Sequence, residues 1–426
     1  MRSPITDYLT EALDGVRDDD SGELAGYIPE LASADPGRLA AVFATADGET
    51  YSAGDAEVAF TIQSISKPFV YALAIADRGL DAVLEKVGVE PSGDAFNELS
   101  LEDDTGRPLN PMINAGAIAA HTLAGKKGLD PAARLARIVD GLSAFVGRRL
   151  EVDEAVFSSE METANRNLAF AYMLRSHDIL EEDPVAVVEG YTRQCSLLVT
   201  TADLAVMAAT LANRGVQPVT GEQVVPAPVV RQVLSVMSTC GMYDAAGDWA
   251  TQVGIPAKSG VAGGLIGALP GQLGIATFSP RLDRHGNSVR GVSLFERFST
   301  DMGMHLMEVS APGLEVVRSN RVLGEGDDAV RVIELQGGIR FSGAERAVRE
   351  AIETAVDTPN VAFDLTLVHS VDDAARRMLL EVVRRLTLDG REVFLVDPER
   401  IIDDPEPGDG GRVTVVESVG QLPGQS

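Results

Sequence analysis

The chain is poor in lysine, in cysteine and in positive charge generally. Of its 36 basic side chains only five are lysine, and 64 Asp and Glu leave a formal net charge of −28 over 426 residues. Such a surface disfavours nucleic acid and anionic membrane as partners, since both require basic patches. The two cysteines, Cys195 and Cys240, are too few for a disulfide framework and fit a reducing compartment. Residues Met1 to Asp20 hold no apolar stretch of the signal-peptide kind, and no apolar run reaches membrane-spanning length. A cytoplasmic location follows as the expectation. The histidines (His121, His177, His285, His305 and His369) are scattered without metal-site spacing, which argues against a metal-dependent hydrolase; neither metal nor cofactor is expected.

The scarcity of lysine makes the few that remain informative. Where only positive charge is needed the chain mostly uses arginine, which keeps its proton; a buried lysine can lose it. Two of the five stand in Gln63-Ser64-Ile65-Ser66-Lys67 and in Lys258-Ser259-Gly260-Val261. A lysine three residues after a serine at a helix start places amine and hydroxyl on one face. The Ser64 N–H would be among the unsatisfied donors of that start, available to an oxyanion. For Lys67 to act as base near neutral pH, its charged form must be disfavoured by about 3–4 kcal/mol. Burial and a second nearby cation both act in that direction, and Lys258 is the expected second cation. In Lys258-Ser259-Gly260, read as a strand, the glycine lets substrate approach the backbone and the Val261 N–H becomes a second oxyanion donor.

Length suggests two domains or three. A helix is expected near Thr6 to Val16, then strands at Arg38 to Ala44 and Thr50 to Ser52 and a helix from Ser64 to Arg78. Ala115 to Met237 reads as almost entirely helical. Ala257 to Ala268 and Gln272 to Phe278 read as strands, Ser288 to Phe298 as a helix. The pattern predicts a sheet domain with an all-helical subdomain and a cleft between them, over residues 1–308. Residues 309–328, with Ala-Pro-Gly and Gly-Glu-Gly, read as a linker. From 329 to 426, strands at Val330 to Leu335, Val361 to Thr366 and Glu392 to Val396 alternate with helices at Gly343 to Val356 and Asp372 to Leu388. That is the signature of a small α/β domain with a loose tail.

Ser-x-x-Lys with Lys-Ser-Gly resembles the β-lactamase and penicillin-binding-protein superfamily. The surrounding runs are similar to the serine-dependent glutaminases: Tyr27-Ile28-Pro29, Phe60 to Pro68, Asn110-Pro111-Met112-Ile113-Asn114-Ala115-Gly116-Ala117-Ile118, Ser159-Glu160 with Arg166-Asn167, Tyr191 with Gln194-Cys195-Ser196, Cys240 to Asp244, and Pro256 to Gly264. One departure is Glu30, where the family commonly has glutamine. The resemblance implies hydrolysis of L-glutamine to L-glutamate and ammonia. Ser64 would be nucleophile, Lys67 base and Tyr243 proton donor to the leaving ammonia, with Lys258 in support. Ser64 and Val261 N–H groups would hold the oxyanion, and Tyr27, Gln63, Asn114, Glu160, Asn167 and Tyr191 would bind substrate. Glu160 suits the substrate's ammonium, while asparagines and tyrosines can hold the carboxylate without another strong cation. A homo-oligomer, dimer or tetramer, is expected.

The C-terminal part resembles a STAS domain through Phe363-Asp364-Leu365-Thr366, Val371-Asp372-Asp373 and Val393 to Asp397. The phosphorylatable serine of signalling members is replaced by Asp373, so a kinase switch is not expected. The domain reads as a regulatory or interaction module with a protein or ligand partner. Two other readings stand beside the glutaminase: a β-lactamase or peptidase of the same superfamily, and a non-catalytic scaffold in which the STAS-like part carries the function.

Overall fold

The computed structural model describes residues 3–93, 100–308, 316–354 and 358–423. The chain opens with α1 (Pro4–Val16) and α2 (Pro29–Ala32), then β1 (Ala40–Thr45), β2 (Thr50–Gly54) and β3 (Phe60–Thr61). A 3₁₀ turn, Gln63–Ile65, leads into α3 (Ser66–Arg78) and α4 (Leu80–Leu84). Next come α5 (Asn114–Leu123), α6 (Pro131–Val146), α7 (Glu154–Glu162), α8 (Asn165–Ser176) and α9 (Pro184–Cys195). They are followed by β4 (Leu198–Val199), α10 (Thr201–Ala212), α11 (Ala227–Cys240) and α12 (Ala246–Gln252). β5 (Ala257–Ser259), β6 (Gly264–Leu269), β7 (Leu273–Phe278) and α13 (Val289–Met302) complete the first unit, which spans Met1–Glu308.

Its sheet runs β2-β1-β7-β6-β5, antiparallel throughout. Strand alternation divides the side chains between two cores. Ala40, Val42, Ala44, Ile266, Ala268 and Ala276 face the cluster shared with α10, whereas Ala41, Phe43, Leu265 and Ile275 pack with Leu9 and Leu13 of α1 and Phe295 and Phe298 of α13. Helices on both faces explain why β1 reads as the unbroken apolar run Ala-Ala-Val-Phe-Ala. α10 lies directly on the sheet: a Cβ on Gly274 would come within 2.1 Å of the Ala209 nitrogen. The expected single strand from Ala257 to Ala268 is instead two, β5 and β6, broken where Gly263 takes φ 99° and its N–H bonds the Gly260 carbonyl. That tight turn places Val261 at the edge of a cleft instead of within a strand.

The second unit begins at Val309. It contains β8 (Val317–Leu323), β9 (Val330–Ile339), α14 (Phe341–Thr354), β10 (Asn360–Val371), α15 (Asp373–Leu388), β11 (Glu392–Val396) and β12 (Thr414–Val416). Strand order is β12-β11-β10-β9-β8, parallel from β9 to β12, with β8 antiparallel at the edge. α14 and α15 cover one face through Ala344, Ala347, Leu379 and Val383, packed on Ile333, Phe363 and Leu395. The reading of 309–328 as linker is therefore corrected: 317–323 is a strand, missed because its alternation is Val-Arg-Ser-Asn-Arg-Val with little apolar content at an edge. Residues 309–315 lie outside the described residues, as does Val356 of the predicted helix. Asp372 caps α15, its carboxylate accepting from Ala375 N at 2.7 Å, and Asp373 is the first helical residue.

Each unit has its own apolar core, so we propose that they fold independently. A chain ending at Glu308 is expected to be soluble and to melt in one cooperative transition by calorimetry; a truncated chain that aggregates or shows no transition would refute it.

Candidate active site

The predicted residues converge on one cleft of about 350 Å³, lined by Tyr27, Gln63, Ser64, Asn114, Glu160, Asn167, Tyr191 and Val261, together with Thr163, Ala164, Arg166, Thr192 and Cys195. Lys67, Tyr243 and Lys258 lie buried behind it. A mostly apolar groove between α14 and α15 is lined by no serine, cysteine, lysine or histidine.

Ser64 sits in the 3₁₀ turn that enters α3, between Gln63 at φ 49° and the helix proper. A non-glycine residue held at positive φ costs about 1–3 kcal/mol, strain that persists only when the surroundings enforce it. Tyr243, in a second 3₁₀ turn after α11, shows the same feature at φ 57°. What enforces that turn is close approach: a Cβ on Gly241 would lie 1.9 Å from the Ala257 carbonyl, so the end of α11 runs against β5. This brings Tyr243 to Lys258, whose Nζ donates to the Tyr243 hydroxyl at 2.6 Å and to the Ser259 carbonyl at 2.7 Å. Tyr243 is hydrogen bonded with Ser64 in turn. Lys258, Tyr243 and Ser64 thus form one chain. Ser259 turns away and meets Asn287 Oδ1 at 2.6 Å.

Lys67 is 1% exposed. Its Nζ donates to Asn114 Oδ1 at 2.7 Å and to the Met112 carbonyl at 3.1 Å. A neutral amine has two N–H groups, and these two acceptors match them. Burial pushes the Lys67 pKa down to about 7, slightly opposed by the Cys195 thiol. Lys258 is also pushed well down, by burial first and by Lys67 second. Burial is the first cause for both amines, and the repulsion between them adds to the depression. Burial also pushes up Cys195, to about 11, and Tyr191 and Tyr243 well above the usual phenol range.

The N-cap position of α5 is not held by Asn114. Ile113 occupies that position, and Asn114 is the first helical residue; its side chain reaches Lys67 and, through Nδ2, Asn167 Oδ1 at 3.1 Å. The tight loop before α5 is possible because Gly116 has no Cβ, which would stand 1.9 Å from the Asn110 carbonyl. Glu160 lies in the last turn of α7, not at a helix start where the macrodipole would favour it. It accepts from Tyr27 Oη at 2.8 Å and from Gln63 Nε2 at 3.3 Å. The Tyr27 ring is 46% exposed at the cleft mouth. Arg166 lines the same cleft, so a strong cation is present where asparagines and tyrosines were expected to suffice. Its place in Arg166-Asn167 gave no sign of that role. Among the described residues, no group of His, Cys, Asp and Glu is arranged to hold a metal.

A serine at a helix start beside the strained Gln63, two buried amines and a polar cleft between sheet and helices define the class: the glutaminase and β-lactamase-like fold, here with a further α/β domain. The chain belongs to the glutaminase family, whose model matches residues 22–307, and a STAS domain follows, matched over 322–404. The glutaminase of Corynebacterium glutamicum is 50% identical over 404 residues, 95% of this chain and 97% of its own. The crystal structure of Mglu superposes with a TM-score of 0.87 at 50% identity, covering 94% of this chain and 100% of that one. Its glutamate form gives 0.86 at 46% identity, with the same coverage of both chains. The probable glutaminase ybaS gives 0.69 at 38%, over 72% of this chain and 98% of its own.

Glu30 accepts from Ser159 Oγ at 2.9 Å, while its second carboxylate oxygen is buried and has no hydrogen-bond partner. Burial holds the Glu160 carboxyl above its usual range; hydrogen bonds from Tyr27 and Gln63 oppose this, and the Glu30 charge adds to it. A carboxyl with raised folded pKa withdraws stability above that pKa and none once protonated in both states. Glu30→Gln is therefore expected to raise Tm by about 1–2 °C near pH 8, with the gain vanishing toward about pH 4. Identical melting curves at the higher pH would show that the two carboxylates are not coupled.

Proposed function

We propose that this glutaminase hydrolyses L-glutamine to L-glutamate and ammonia through an acyl-enzyme on Ser64, with Lys67 as its base. The observation that carries this reading is a fully buried lysine one helical turn from a cleft-lining serine, with acceptors for two N–H groups and a pKa of about 7. Ser64 Oγ attacks the side-chain amide carbon while its proton passes to the Lys67 amine. The N–H groups of Ser64 and Val261 stabilise the oxyanion, donors aimed where charge develops. Collapse expels ammonia with a proton delivered through Tyr243, and Lys258, bonded to the Tyr243 hydroxyl, supports that transfer. Water then releases glutamate and restores Ser64.

Recognition follows from the charges of a free amino acid. Glu160 accepts the α-ammonium, and Tyr27 and Gln63 hold its carboxylate in place. Asn114, Asn167 and Tyr191 line the opposite side, and Arg166 supplies positive charge for the α-carboxylate. A relative of 46% identity crystallised in its glutamate form supports the product assignment.

The STAS domain is an accessory module, and we assign it a regulatory or binding role with a protein or small-molecule partner. A homo-oligomer, dimer or tetramer, is part of the same reading; the exposed Tyr172 and Met173 on α8 support a covered surface there. Two unpaired, buried cysteines fit a reducing, cytoplasmic setting. No helix among the described residues is long and apolar enough to cross a membrane.

Ser64→Ala is expected to abolish ammonia release while glutamine still binds, by calorimetry; retained turnover would remove Ser64 as nucleophile. A base works only when unprotonated, so kcat/KM should fall about tenfold per pH unit below the Lys67 pKa of about 7 and level off above it. Lys67→Arg, permanently charged, should be inactive at every pH. A rate independent of pH between about 5 and 8 would exclude Lys67 as the base.

A further inference from the structure

Behind the nucleophile lie buried polar side chains that the reaction above does not use. His121 Nδ1 stands 2.9 Å from Gln194 Oε1, Gln194 Nε2 donates to Ser66 Oγ at 3.0 Å, and Ser66 Oγ donates to the Gln63 carbonyl at 2.8 Å. They come from three helices: His121 from α5, Gln194 from α9 and Ser66 from α3. Ser66 and Gln194 have no exposed surface and His121 is 2% exposed, so water does not compete. The Cys195 thiol borders Ser66 and Tyr191 on the cleft side.

With both Ser66 Oγ contacts as hydrogen bonds, the direction of each bond in the chain follows. A carbonyl oxygen only accepts, so the Ser66 hydroxyl proton is committed to Gln63, and Ser66 Oγ must accept from Gln194. Only the amide nitrogen of Gln194 can donate there, which turns its oxygen to His121 and requires the imidazole proton on Nδ1. Burial pushes the His121 pKa down to about 4, so the ring is neutral and one tautomer is selected. The order is His121 to Gln194 to Ser66 to the Gln63 carbonyl, with all donors pointing the same way.

The end of this chain gives it meaning. The Gln63 carbonyl and the Ser64 N–H belong to one planar peptide unit. The Ser66 backbone N–H donates to the same oxygen. Two donors on that oxygen fix the rotation of the plane and draw electron density toward it, which makes the opposite N–H a better aimed and stronger donor. Gln63 itself is held at φ 49°, a sparsely populated conformation, directly beside this peptide.

We propose that His121, Gln194 and Ser66 are positioning residues that lock the Gln63–Ser64 peptide with its N–H facing the oxyanion. The proposal rests on the reading of the Ser64 N–H as an oxyanion donor. Its test uses the full chain, with Ser66→Ala, Gln194→Met and the double variant assayed for kcat, KM, calorimetric affinity for glutamate, and inhibition by a tetrahedral phosphonate analogue of glutamine. Each single variant is expected to lose about tenfold to a hundredfold in kcat, with a parallel loss for the phosphonate, while KM and glutamate affinity stay within about threefold. The double variant is expected to be no worse than the poorer single one, since both break one chain. Wild-type kcat in a folded variant, equal losses of glutamate and phosphonate affinity, or additive losses would overturn the relay. The ¹⁵N shifts of His121 in the unmutated protein decide the matter without any variant: an Nδ1–H tautomer is expected, and an Nε2–H tautomer rules the relay out. A wild-type chain that releases no ammonia from glutamine would instead defeat the functional reading itself.

Discussion

Two buried lysines, with no carboxylate among the described residues hydrogen bonded to either, are the constraint around which the first unit is built. Burying a lysine ammonium without a counter-ion is costly enough that the group gives up its proton instead. What the surroundings offer is suited to amines: the Met112 and Ser259 carbonyls, the Asn114 amide oxygen and the Tyr243 hydroxyl. In a chain carrying 64 acidic residues this exclusion of carboxylate is a positive feature of the fold. A single Asp or Glu beside Lys67 would favour the ammonium and remove the base proposed for Ser64.

The backbone holds these groups by close approach rather than by many specific contacts. Gly116 lets the Asn110 loop lie against α5, and Gly241 lets α11 run against β5. The positive φ of Gln63 and of Tyr243 is the local cost of such approaches. The strain at Gln63 and Tyr243 is held by an alanine-rich interior in which α3 and α10 are buried on nearly every side. Substrate recognition is assigned to the wetter rim, where Tyr27, Glu160 and Arg166 meet solvent.

Much of the architecture was legible because its signals are local. The helices from Ala115 to Met237, the strand β7 and the alternation of β9 to β11 with α14 and α15 follow from periodicity. β8 was not legible, since a polar edge strand is stabilised only by its pairing with β9. Nor was the break between β5 and β6, which depends on a glycine turn at Gly263 that composition alone does not locate. Arg166, Thr163 and Thr192 reach the cleft through helix geometry that spacing does not reveal. Gln194 entered the sequence reading only as part of the run Gln194-Cys195-Ser196.

By itself the sequence determined that lysine is rare, that a serine stands one turn before one of the five lysines, and that a small α/β domain follows. These are statements about residue chemistry and short-range spacing, which the chain carries in its order. Only the tertiary structure decided which amine is which. Lys67 and Lys258 are 191 positions apart, and their pKa values depend on how completely each is removed from water and on which acceptors surround it. The same holds for the peptide of Gln63 and Ser64, whose orientation is set by side chains from three helices. Burial and hydrogen-bond direction are properties of packing, and they exist only once distant segments meet.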